Sequence, residues 1–275
     1  MQLTYNKLSQ QPRVFLQLTG VSLSTFHELL KRLERSFEQL AAQKLLAGRT
    51  SRLSSNADKL LCVLLYYRTY ITHTFIGYLF NLHNSNICRL IKKIEPMLAK
   101  KVSIKKDRSL TSDKVLKLLA DVRETPTQRP GKKQKESYSG KKKRHTIKTE
   151  IVIEESGKIV NVSKSEKGRV HDFKIRKAEK LLPIHAIKLA DSGYQGWQKL
   201  QSNVILPYKR TKKKPLTKEE KEHNKHLSSR RMQVEHKIRD LKIFKIIAGV
   251  YRNFQKKYNL RFNIIAGIVN IKYGF

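Results

Sequence analysis

The sequence predicts an α/β protein in two parts: an all-α N-terminal domain at residues 1–104, then helices layered around a mixed sheet at residues 113–275. Three observations carry this. Apolar residues keep helical spacing through residues 1–104. Residues 145–153 (HTIKTEIVI) alternate cleanly, with Ile147, Thr149, Ile151 and Ile153 on one side. After them, short apolar runs and helical patterns interleave to the end of the chain.

In the first part, residues 23–43 place apolar side chains at Phe26, Leu29, Leu30, Leu33, Phe37 and Leu40, with Ser22 or Ser24 as the cap. Residues 50–56 are Ser- and Arg-rich and read as a loop. Residues 58–70 form an apolar helix, and a short helix covers 74–80. A turn at 81–84 leads to a basic helix at 85–98. Helix, short helix, turn and basic helix is the order of a helix-turn-helix. Ser85, Asn86, Arg89 and Lys92 would then face a DNA groove, with Ile87, Leu90, Ile91 and Ile94 inward. A plain helical bundle with a basic surface is the alternative.

The second part opens with a strand at 115–122 that ends in acid, at Asp121. A basic loop follows, then a hairpin of 145–153 and 158–163 around Glu154 to Gly157. Residues 172–182 read as a helix stopped by Pro183. Residues 186–190 form a strand ending at Asp191, and a helical segment and a strand at 204–206 follow. Thr217 and Glu220 make a capping box for a helix with Leu227, Val234, Ile238 and Leu241 on one face. A last apolar helix covers 259–271. This order is that of a ribonuclease-H-like fold.

Charge narrows the function. The chain has 59 Lys+Arg against 22 Asp+Glu, net +37, an excess that destabilises a compact state unless it serves a polyanion such as nucleic acid. No stretch has the roughly 18 apolar residues of a membrane span, and no secretory segment opens the chain. Two cysteines, Cys62 and Cys88, cannot build a disulfide framework or a four-cysteine zinc site, so a reducing, cytoplasmic setting is expected.

Three acids occupy informative places. If the first strand and the strand at 186–190 are parallel neighbours, Asp121 and Asp191 meet at their carboxyl ends, where open α/β sheets bind ligands. A helix beside that edge could bring Glu235 to the same point. Clustered carboxylates repel one another unless a cation lies between them. Magnesium suits such oxygen donors, and two ions could serve an in-line displacement at phosphate. Each acid also has an ordinary reading: Asp191 as a turn residue, Glu235 as a surface ion pair with Arg231 or Arg239, and Asp121 as a strand end. Asp172, Glu124 and Asp240 are rivals, Asp172 reading more readily as a helix cap.

Four stretches carry a resemblance: ADVRETPTQRP with YSGKKKRHTIKTEIVI, VSKSEKGRVHDFKI, LADSGYQG, and Arg231-x3-Glu235-x6-Lys242. Through them, nearly the whole chain resembles transposases of the IS5-type insertion-sequence family, within the DDE transposase superfamily. The resemblance implies that Asp121, Asp191 and Glu235 are the catalytic metal ligands, holding two Mg2+ ions that Mn2+ can replace. It also implies an N-terminal helix-turn-helix, terminal inverted repeats and target DNA as double-stranded partners, and a nucleoid setting in a bacterial cytoplasm. Processing two ends together suits a homodimer. Ser228 stands where related transposases often carry a tyrosine.

The remaining candidates are basic or aromatic. Arg231 and Lys242 would contact phosphate from the glutamate helix. Residues 129–148 hold nine Lys/Arg and one acid, with Lys141, Lys142 and Lys143 at the centre, and residues 209–225 are also basic. Both runs would track the DNA backbone. Tyr138, Tyr194, Trp197 and Tyr208 could stack on a base, with core packing the ordinary reading. A DNA-binding repressor, or a domesticated transposase without catalysis, is the rival function.

Overall fold

The computed structural model describes residues 2–42, 52–53, 55–104, 117–211 and 215–275. Part of the loop expected at 50–56, the start of the strand expected at 115 and the middle of the basic run 209–225 lie outside the described residues. The chain divides into two compact units, each discontinuous in sequence. One comprises residues 1–103, 242–249 and 260–275, the other residues 104–241 and 250–259.

The first unit is helical: α1 (Tyr5–Ser9), α2 (Pro12–Thr19), α3 (Leu23–Ala42), α4 (Asn56–Thr69), α5 (His73–Phe80) and α6 (Asn84–Lys101). Ser22 does cap the third helix, its hydroxyl accepting from the Thr25 amide at 3.2 Å. Helix α4 is the hub. Its residues Leu60 through Tyr67 are all buried, the pattern of a helix surrounded on every side. The C-terminal part of the chain joins this unit: Gly267 passes so close to α6 that a β-carbon there would stand 1.7 Å from the Val102 carbonyl oxygen. Inside it, buried Glu95 accepts from Arg261 at 2.6 Å and from Tyr67 at 3.2 Å.

The second unit holds the sheet. Its elements are β1 (Lys117–Pro126), α7 (Gln134–Ser137), β2 (Tyr138–Ser139), β3 (Arg144–Glu154), β4 (Ile159–Val162), β5 (Glu166–Lys167), α8 (Asp172–Ala178), β6 (Ile187–Leu189), β7 (Val204–Ile205) and α9 (Lys218–Lys242), whose last residue belongs to the helical unit. Two further helices follow, α10 (Lys245–Ala248) and α11 (Tyr258–Lys272). The strand order is β2-β3-β1-β6-β7, with β4 and β5 also pairing with β3. The expected hairpin is present, and β1 and β6 are the expected parallel neighbours. Three expectations change. The first strand does not stop at Asp121 but runs on to Pro126, because β3 pairs with it through Thr146. Helix α8 ends at Ala178, four residues before the expected end, and Lys180 turns its carbonyl to Arg176 instead. Between β6 and β7 there is no α-helix, only 3-10 turns at Ser192–Tyr194 and Trp197–Lys199.

One face of the sheet is covered by an apolar core of Leu118, Ala120, Val152, Val160, Ala190, Tyr194, Trp197 and Leu206. The two-residue pleat puts Leu119 and Asp121 on the opposite face. Helix α9 begins with the predicted capping box, Thr217 and Glu220 exchanging hydrogen bonds at 3.0 and 3.1 Å. It buries Leu227, Val234, Ile238 and Leu241, the stripe read from the sequence.

Candidate active site

Asp121 and Asp191 are brought together by strand pairing. Leu119 is aligned with Leu189 in the parallel β1–β6 pair. Each aspartate lies two residues beyond its leucine, on the same side of its strand. Pairing between β1 and β6 ends there, so both side chains stand at the mouth of a splayed edge. Asp191 also has the turn role: its Oδ1 accepts from the Gly193 amide at 2.8 Å and starts the 3-10 turn.

The third acid arrives on α9. Arg231 lies on the stripe between Leu227 and Val234, and its Nη2 is 3.7 Å from Asp121 Oδ1. Its Nε is buried without a hydrogen-bond partner. Glu235 is one turn further on, exposed at the edge of that stripe. Burial pushes the Asp121 carboxyl up from 3.8 to about 6, against the pull of Arg231 and the Val122 amide. Asp191 and Glu235 both add to the rise, by smaller amounts than burial.

Among the described residues, no three His, Cys, Asp or Glu side chains close around one point as a metal cage would. The reason is local: Asp121 is turned to Arg231, Asp191 to the Gly193 amide, and Glu235 to the outside. The donor chemistry nevertheless suits a hard divalent cation. All three groups are carboxylates, and burial holds the proton of Asp121 up to about 6 despite the nearby Arg231.

A buried network lies under the Asp191 turn, and the sequence reading missed it. Glu150 on β3 meets Arg176 on α8 at 2.7 Å, both almost wholly buried. The Arg176 guanidinium stands 5.8 Å over the Trp197 ring, which lies 5.4 Å from the Tyr194 ring. Burial raises Glu150 to about 7, against the pull of Arg176, and raises the Tyr194 hydroxyl well above its ordinary value. The hydroxyl faces Glu150, yet neither it nor Glu150 Oε1 completes a hydrogen bond of normal geometry. Tyr194 and Trp197 are therefore core residues, as their ordinary reading has it. Of the rivals, Asp172 is no cap. It pairs with Lys148 at 2.9 Å, and a β-carbon on Gly193 would meet Asp172 Oδ2 at 2.7 Å and Asp191 Oδ1 at 2.9 Å. Only glycine fits between those two carboxylates. Glu124 instead accepts from Thr146 at 2.6 Å.

The candidate DNA-contacting residues are spread more widely. On α6, Asn86, Arg89 and Lys92 are exposed and Ser85 half-exposed, while Ile87, Ile91 and Ile94 are buried and Leu90 partly so. His83 caps the helix through Nδ1, which meets Ser85 Oγ at 2.9 Å, and Arg89 donates to Asn86 at 3.2 Å. Gly77 is required at the preceding turn, since a β-carbon would stand 2.4 Å from the Leu82 carbonyl oxygen. Lys141, Lys142 and Lys143 are exposed in the turn between β2 and β3. Lys242, exposed, is the last residue of α9.

Two family models match successive parts of the chain. Residues 120–271 match the family described as DDE superfamily endonuclease, and residues 51–104 match its helix-turn-helix, which implies DNA binding. The chain is 37% identical over 263 residues to the "Probable transposase for insertion sequence element IS702" of Microchaete diplosiphon, covering 94% of each chain. No solved structure matches it. A family match over more than half of the chain, a matching helix-turn-helix and a relative aligned over almost the whole length agree: the chain is a member of the DDE superfamily of endonucleases.

Proposed function

We propose that this protein is an IS5-type insertion-sequence transposase that binds the terminal inverted repeats of its element and cuts and joins DNA strands at Asp121, Asp191 and Glu235. The observation that carries the proposal is the strand register that sets Asp121 and Asp191, 70 residues apart along the chain, two residues beyond aligned leucines of parallel strands, in a chain that belongs to the DDE superfamily of endonucleases. The succession of β1, the β3–β4 hairpin, β6 parallel to β1, and α9 supports a ribonuclease-H-like arrangement. In this reading a helical DNA-binding domain occupies 1–104 and a catalytic domain 113–275, the latter lending residues 242–249 and 260–275 to the helical unit.

In this reading the three carboxylates hold divalent ions, two Mg2+ with Mn2+ as a substitute. Bound there, the ions would supply Lewis acidity at the attacking and leaving oxygens. Asp121 and Asp191 orient from the sheet edge and Glu235 from α9. Arg231 balances Asp121 and stands one turn from Glu235, in reach of a DNA phosphate. Ser85, Asn86, Arg89 and Lys92 read the repeat, and Lys141, Lys142, Lys143 and Lys242 follow the backbone. A homodimer would process both ends together.

A labelled repeat-end duplex titrated with Mg2+ or Mn2+ tests this. Asp121→Asn, Asp191→Asn and Glu235→Gln are each expected to abolish cutting and to leave duplex binding within about threefold of wild type. Full metal-dependent cutting by any of the three removes that ligand from the proposal. A second reading, a repressor that binds without cutting, is favoured by one observation: the acids do not close around a point. It requires wild-type binding with no cutting in either metal.

A further inference from the structure

A second site lies on the catalytic unit, away from the three acids. It is a cavity of about 750 Å3 lined by Arg129, Gln134, Lys135, Tyr138, Gly140, His145 and Arg169. That volume falls in the roughly 300–1,000 Å3 range of small-ligand sites. Four of the seven lining residues are basic or imidazole, and none is acidic. Glu136, next along α7, is turned away to Lys167.

The cavity is built by the chain rather than left over between loops. Tyr138 and His145 are direct partners across β2 and β3, with ring centres 5.7 Å apart at a steep angle. Arg129 is held by Gln134 at 3.0 Å, and the Arg169 amide donates to the Glu136 carbonyl at 3.1 Å. Tyr138 remains 42% exposed, so its ring is available to a ligand. His145 Nδ1 is buried and has no hydrogen-bond partner, and neither has the Thr127 hydroxyl, whose own amide donates to the His145 carbonyl.

We propose that this cavity takes one unpaired nucleotide of the DNA strand being processed. The inference rests on the DNA-processing reading above. Tyr138 offers a face for base stacking. Arg129, Lys135 and Arg169 take the phosphate, the arginines by paired donors. The part-exposed His145 ring, set against Tyr138, closes the aromatic side of the cavity. A paired duplex needs only a basic surface for its backbone, whereas an aromatic wall inside a cavity serves a base that has left the stack. Asp121 lies five residues before the end of β1, beside which the cavity opens. At about 3.3 Å per residue this is roughly 17 Å. At about 3.4 Å per nucleotide that distance is spanned by roughly five nucleotides.

Binding of three probes to the full chain tests the proposal: a blunt repeat-end duplex, the same duplex with a five-nucleotide single-stranded end carrying 2-aminopurine, and free deoxyadenosine monophosphate. The single-stranded end is expected to bind about tenfold more tightly than the blunt one and to change its fluorescence. Tyr138→Ala and Arg169→Gln should erase that difference, and Tyr138→Phe should keep it, with unchanged melting curves. Equal binding of blunt and single-stranded ends, in a protein that still binds and cuts duplex, overturns the cavity's role and leaves the transposase reading intact. Free mononucleotide binding as tightly as the single-stranded end also overturns it, since the site would then serve a soluble nucleotide. A wild-type protein that binds no duplex overturns both readings.

Discussion

In the proposed site, the carboxyl of Asp121 must lose its proton before it can hold a cation. Its proton is held up to about 6 by burial and by the neighbouring Asp191 and Glu235. A group raised in this way contributes stability that is fully present below 3.8 and lost as pH rises through about 6. Metal binding requires the opposite state, the ionised one. Cutting at fixed, sub-saturating Mg2+ should therefore fall as pH drops through about 6, and excess metal should shift that fall to lower pH. A pH–rate series at two metal concentrations checks this, and a fall that ignores metal concentration would disconnect Asp121 from the ion. Arg231 acts on the same carboxyl. Arg231→Met should raise the Asp121 pKa further, because an attractive charge is removed from a buried acid.

Elements hold these residues in place through two buried ion pairs, one in each unit. Glu150 and Arg176 join β3 to α8 beneath the Asp191 turn. Removing one partner leaves an unpaired buried charge, at a cost of about 3–5 kcal/mol. Arg176→Ala should lower the urea midpoint accordingly, and should impair cutting more than DNA binding because the Tyr194–Trp197 pair loses its cover. Glu95 and Arg261 do the same between α6 and α11. There Glu95→Ala should destabilise by a similar amount and reduce DNA binding, since α6 carries Asn86, Arg89 and Lys92. The elements also show what sequence reasoning reaches. The helix-turn-helix, the hairpin, the capping box at Thr217 and the buried face of α9 follow from local periodicity, and they are where the pattern puts them. The end of β1 does not, because Arg123 to Pro126 are kept extended by partners 20 or more residues away on β3. Glu150 looked like one more polar residue in an alternating strand. Its partner stands 26 residues on, and nothing in either neighbourhood signals the pair. Tyr138 and His145 face each other across a two-residue strand too short to recognise by alternation.

At the scale of the molecule, charge and chemistry divide the work. A net charge of +37 binds DNA of any sequence through counterion release, so affinity should fall steeply and linearly in log–log terms with salt. Arg89→Ala should cut preference for the repeat over random duplex by about fivefold to a hundredfold without changing that slope by more than about one. None of this charge can break a phosphodiester bond; in the proposed function that falls to Asp121, Asp191 and Glu235. Their candidacy was legible because each aspartate follows an apolar run of a parallel strand and the glutamate sits in a recognisable helix pattern, although β1 itself continues past Asp121 to Pro126. Their incomplete closure was not, because it depends on Arg231 and the Gly193 amide taking up the carboxylates. The most direct test loads the protein with Fe2+ in place of Mg2+ and maps where radicals generated at the bound iron cut the polypeptide. The account predicts cuts clustered at the middle of β1, just after β6 and around residue 235, suppressed by excess Mg2+ and absent in Asp191→Asn. Cuts elsewhere, or the same cuts in Asp191→Asn, would contradict it.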